Sequence, residues 1–223
     1  QPVTSVDWQS QRRVRELFYY LLAHPRGISR EAIGAIFWPD STTPQLKRRF
    51  KNAMYRLRRA LDKEIVLFDP DDGLYSFNRQ LDYEYDVEIF LQEIEQAETA
   101  RDSHEQLVAY EAAVHLYEGP YLADLDGTWA WPDREALARV YVRAILKLIE
   151  FKLELGRHTH ALQLCHKALK EDPCLEEVHR QAMRAYAAKG DRVAVTRQFE
   201  HCRQVLHQEL DLQVSPETKT LYE

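Results

Sequence analysis

Cysteine is scarce in this chain, with Cys165, Cys174 and Cys202 alone among 223 residues. An odd count without a C-x-x-C pair argues against a disulfide framework and fits a reducing, cytoplasmic setting. Metal motifs are also lacking. His158, His160 and His166 lie close together, but no carboxylate or thiol stands at a recognised ligand spacing, so they read as surface residues. No apolar run approaches a bilayer span, and the first residues are not a signal peptide. Only seven glycines are present, and the sequence contains no G-x-x-x-x-G-K-S/T loop, no G-x-S-x-G elbow and no H-E-x-x-H pair. These absences point away from an enzyme, a bound cofactor or metal, and a membrane. The chain opens at Gln1 and ends inside what reads as a new helix after Ser215 and Pro216, so a fragment of a longer protein is expected.

What is present is charge, unevenly placed. Residues 1–80 carry a net +5 and the remainder −11, within an overall −6. The positive charge is concentrated between Pro44 and Lys63, with eight cations and the single acid Asp62. Over Pro44 to Leu61, Leu46, Phe50, Ala53, Leu57 and Leu61 recur at helical spacing on one face. The opposite face carries Arg48, Asn52, Tyr55 and Arg59, with Gln45, Arg49, Lys51 and Arg56 on its shoulders. A basic helix in an acidic protein suggests a polyanion, and Arg, Asn and Gln can read base edges in a major groove. A solvated basic surface would show the same charge run.

Around this helix the patterns give an order of elements. Gln1 to Trp8 suits an extended entry. Gln11 to Ala23 places Val14, Leu17, Phe18, Leu21 and Leu22 on one helical face, stopped by Pro25 and Gly27. Ser29 caps a second helix, with Ile28 and Ile33 as a hydrophobic staple. Thr43 reads as the cap of the basic helix and Pro44 as its first residue. Ile65 to Phe68 and Leu74 to Phe77 flank a polar Asp69 to Gly73 turn and predict a hairpin. Three helices followed by a hairpin is the order of a winged helix-turn-helix.

From Asp86 onward only helices are predicted: one capped by Asp86, one with a Ser103 and Gln106 capping box, a Tyr121 to Pro132 loop carrying Trp129 and Trp131, and a long helix burying Leu137 to Leu155. Gly156 and Gly190 lie 34 residues apart, and Ala161, Ala168 and Pro173 fall at tetratricopeptide positions. Residues Asp86 to Tyr117 make a looser third unit. The expected fold is mostly α: a winged helix-turn-helix in 1–80 with a C-terminal hairpin wing, then an all-α tetratricopeptide-like repeat domain in 81–223.

Several stretches together resemble one family. These are Leu17 to Leu22, Ile28 to Glu31 leading to Phe37-Trp38-Pro39-Asp40, Tyr55 to Leu61, Gly73-Leu74-Tyr75, Asp86 to Phe90, Tyr117 to Leu122, Asp133-Arg134-Glu135 and Gly190-Asp191-Arg192. In order and spacing they resemble the bacterial antibiotic-regulatory type activators, in which an OmpR-like winged helix precedes a bacterial transcriptional activation domain. The resemblance implies a cytoplasmic transcription factor that docks its third helix in promoter duplex DNA and contacts RNA polymerase, with further domains in the parent protein. Carried over by position, Gln45, Arg48, Asn52, Tyr55, Arg56 and Arg59 would face the groove, and Arg49 and Lys51 the phosphates. The family's small initial sheet is reduced here to at most Pro2 to Val6. The turn at Asp69 to Asp72 is acidic, which would repel phosphate. The rival reading is a helical-repeat scaffold that binds peptides and not DNA.

Overall fold

The structure, a computed structural model, describes Trp8 and residues 12–223; the remnant strand at Pro2 to Val6 lies outside the described residues, as does the extended entry expected over Gln1 to Trp8 except at Trp8, which is helical. The chain divides into two compact units, one comprising residues up to Glu84 together with Leu122–Arg134, the other Tyr85–Tyr121 with Glu135–Glu223. This differs from a single cut after residue 80, because the stretch expected as a loop of the second domain groups with the first.

In the first unit α1 (Arg12–Leu22), β1 (Ile28–Ser29), α2 (Arg30–Phe37), α3 (Thr43–Ala60), β2 (Val66–Asp69) and β3 (Leu74–Phe77) follow in order. The hairpin is joined by β1 into a three-stranded antiparallel sheet ordered β1-β3-β2, with Ile28 opposite Tyr75 and Val66 opposite Phe77. Two-residue β1 was not expected from the sequence, which marks Ile28 and Ser29 only as staple and cap. Ser29 holds both roles, since its hydroxyl also accepts from the Ala32 amide at 3.2 Å to start α2. The core of this unit buries Val14, Leu17 and Leu21 of α1, Ile33 and Phe37 of α2, Phe50, Met54 and Leu57 of α3, and Val66 and Phe77 of the hairpin. Gly34 lets α2 and α3 approach: a β-carbon there would lie 2.5 Å from a Leu46 methyl.

Helix α3 starts one residue earlier than expected. Thr42 is its cap, its amide donating to the Gln45 side chain at 3.1 Å, and Pro44 falls in the first turn, where its missing N–H leaves no bond unmade. The next capping assignment also shifts, from Ser103 to Asp102, whose carboxylate accepts from the His104 and Glu105 amides. Where two cap-forming residues are adjacent, composition does not choose between them.

The second unit holds α4 (Asp86–Thr99), α5 (Ser103–Leu116), α6 (Trp131–Glu154, counted here from Glu135), α7 (His158–Glu171), α8 (Glu176–Ala188), α9 (Arg192–Leu210) and α10 (Pro216–Tyr222). Glu154 and Ala188 end helices and His158 and Arg192 begin them, in each case 34 residues apart. Gly156 and Gly190 supply the left-handed residue at each break, with φ of 67° and 76°. One core runs from Phe90 and Ile94 through Tyr110, Tyr141, Ile145, Ile149 and Cys165 to Val178 and Ala185. Cys202, Leu206 and Val214 form a second. An ion pair joins buried Lys152 to exposed Glu111.

Candidate nucleic-acid interface

The candidate surface is α3, and its hydrophobic side fixes what the other side shows. Phe50, Met54 and Leu57 are buried, so Gln45, Arg48, Arg49, Lys51, Asn52, Tyr55, Arg56 and Arg59 are all turned to solvent. Tyr55 is 63% exposed, so its ring and hydroxyl are presented to solvent. Gln45 has a structural task already, its carbonyl oxygen being held by the Thr42 amide.

The structure separates these residues by direction. Lys51, Tyr55 and Arg59 line a hollow of about 1120 Å³ between α3 and the sheet, whereas Arg48, Arg49, Asn52 and Arg56 do not. The hollow also takes in Arg30 from the start of α2, Lys47 and Arg58 from α3, and Lys63 beyond it. Its six cations face two carboxylates, Asp62 and Glu64. The sequence places Lys51 and Arg59 in the site but gives Arg30, Lys47, Arg58 and Lys63 no role there, because Arg30 and Lys63 stand outside α3 and meet it only in the folded chain. Arg58 differs from the rest: it donates to the Val66 carbonyl at 3.1 Å and ties the end of α3 to β2. Tyr75 forms the floor, with Phe50 and Phe68 rings each 4.7 Å away.

At the hairpin turn the Asp69 carboxylate accepts from the Asp71 amide at 2.9 Å, and the Gly73 amide closes onto the Asp69 carbonyl at 2.8 Å. Asp71 and Asp72 stay exposed, so the tip is an anionic cap on an otherwise basic surface. Among the described residues no group of three His, Cys, Asp or Glu is placed to hold a metal ion, and no helix is long and apolar enough to cross a membrane.

Residues 85–223, most of the chain, match the bacterial transcriptional activator domain. The chain belongs to this family. The matched residues take in the whole second unit and also Leu122–Arg134 of the first, and leave α1 to β3 outside the match. Among solved structures the chain is similar to Mycobacterium tuberculosis EmbR, determined in complex with a low affinity phosphopeptide. That match has a TM-score of 0.76 at 18% identity and covers 100% of this chain and 59% of the other. At that identity the likeness is one of fold, and the chain spans about three fifths of the EmbR chain's length. No curated protein sequence matches significantly. The mostly helical architecture with one small sheet agrees with the fold expected of a bacterial transcriptional activator domain protein.

Proposed function

We propose that this protein is a sequence-specific, non-enzymatic DNA-binding transcriptional activator that works in the cytoplasm. In this reading α1 to β3 form a winged helix, α3 enters the major groove of promoter DNA, and the tetratricopeptide-like helices offer a surface to RNA polymerase or to further domains of a longer parent protein. The observation that carries the reading is the exposed polar face of α3, in a chain belonging to a transcriptional activator family.

The directions of the side chains divide the labour. Arg48, Asn52 and Arg56 stand outside the hollow and would meet base edges, together with Arg59, which lines it. Lys47, Lys51, Lys63 and Arg30, gathered in the hollow, would take the phosphates of the strand that passes between α3 and the hairpin. The acidic turn at Asp69 to Asp72 stays off the backbone by like-charge repulsion.

Neutralising about six phosphates makes affinity fall by roughly 10³ between 50 and 200 mM salt. Replacing Lys47 and Lys51 by Ala should reduce the slope of log affinity against log salt by about 2 on every duplex. Replacing Arg48 by Ala should cost about 1–3 kcal/mol on the preferred duplex only. Salt-insensitive binding, or none by the folded protein, would leave the scaffold reading.

A further inference from the structure

Leu122–Arg134 stands well beyond the hairpin in sequence, yet it is part of the first unit. Its attachment is well built. Leu125 and Ala130 are buried at 2% and 0% exposure. The Trp129 indole meets the Tyr20 ring edge to face at 5.1 Å. Arg134 gathers the segment's own backbone by donating to the Leu122 and Leu125 carbonyls at 2.8 and 3.2 Å. At its edge Asp126 pairs with Arg12 at 2.7 Å and Asp124 lies 3.8 Å from Arg15.

Tyr20 links this segment to the turn before α3. The same ring meets Phe37 edge to face at 5.3 Å. Phe37 is the last residue of α2, and its carbonyl accepts from Arg13 of α1. The five residues that follow it lead into α3. Trp129, Tyr20 and Phe37 thus form a continuous aromatic row that ends at the last residue of α2, just before the turn into α3. None of residues 122–134 lines the hollow beside α3.

We propose that Leu122–Arg134 is a positioning segment of the nucleic-acid-binding unit, which through Trp129 and Tyr20 fixes the direction in which α3 presents its basic face. The proposal rests on the function assigned to α3 above. It makes the binding unit discontinuous in sequence: a piece that stops at Glu84 lacks its own buttress, and whatever draws this segment off α1 weakens binding of DNA.

The test uses the full chain, a duplex selected by the parent protein, and the variants Trp129→Ala and Trp129→Phe. Packed residues that touch neither ligand shift affinity by roughly 2- to 30-fold, so Trp129→Ala should bind about tenfold more weakly. The salt slope should be unchanged, because no phosphate contact is lost. Trp129→Phe, which keeps an aromatic edge for Tyr20, should recover most of the loss. Hydrogen exchange should quicken in Trp38 to Leu46 and leave α8 and α9 as they were. Should Trp129→Ala not fold, Gly127→Ala replaces it, since the added carbon would lie 2.3 Å from the indole nitrogen and must displace the ring. Folded variants with parental affinity, within about a factor of two, would overturn the proposal. If the parent binds no duplex at all, the function assigned to α3 fails, while exchange at Trp38 to Leu46 still decides whether the segment holds the turn.

Discussion

The crossing of α2 and α3 depends on one missing side chain, which makes Gly34→Ala an informative change. The added carbon would sit 2.5 and 2.6 Å from the two Leu46 methyls and 3.2 Å from its γ-carbon, well inside van der Waals contact. Overpacking of this kind costs about 1–3 kcal/mol. Against it stands the helix propensity of Ala over Gly, about 1 kcal/mol in favour of the variant. The net should be a loss of about 0–2 kcal/mol, tempered because Leu46 is only half-buried and its tip can swing. In a Leu46→Ala background the obstacle is gone and the same substitution should stabilise by about 0.5–1 kcal/mol. Hydrogen exchange of α2 and α3 amides reads this locally, where whole-chain denaturation of a two-unit protein would not be two-state. An equal cost for Gly34→Ala in both backgrounds would refute the close approach of the two helices. Because this crossing directs α3, Gly34→Ala should also weaken DNA binding, and Leu46→Ala should restore part of it.

Other outcomes are expected elsewhere. His179 is fully buried beside Gln198 at 2.6 Å and the Pro173 carbonyl at 2.9 Å, and burial holds its pKa below the ordinary 6.5. The unfolded chain therefore binds the proton more readily. The contribution of His179 to stability is whole above pH 6.5 and shrinks as pH falls below it, so the urea midpoint of the helical unit should drop between pH 7 and about 5.5, and His179→Gln should flatten that dependence. Burial pushes the Cys165 and Cys202 thiols up to about 12, so a thiol reagent should label only half-exposed Cys174 in the native protein at pH 8 and all three cysteines in urea. Arg58→Ala removes the bond to the Val66 carbonyl; it should cost about 1 kcal/mol and quicken exchange in β2 before it changes α3.

The helices were legible because each buries a face at the 3.6-residue period, and α3 doubly so because it carries seven cations and no acid. The 34-residue recurrence of helix ends was visible from Gly156 and Gly190 alone. Four features were not. Strand β1 is two residues long, too short for any alternation to register, and it exists only because Tyr75 and Leu74 lie opposite. The Tyr121 to Pro132 stretch reads as a loop with two tryptophans; nothing local distinguishes Trp129, packed on Tyr20, from Trp131, 56% exposed. The hollow gathers Arg30, Lys47 and Lys63 from separate elements, so its charge is a property of the folded chain. His179 likewise offers no sequence sign of burial, since its partners Pro173 and Gln198 come from different elements.

The most direct test of the central claim is selection of bound duplexes from a random-sequence pool at about 150 mM salt, an ionic strength at which non-specific phosphate binding is weak. The protein is run beside a variant with Ala at Arg48, Asn52 and Arg59. The account predicts one recurring motif from the parent and none from the variant, with the variant still folded. Recovery of the same motif by both would place sequence reading elsewhere than α3, and recovery of none by the folded parent would contradict the assignment of this protein as a sequence-specific DNA reader.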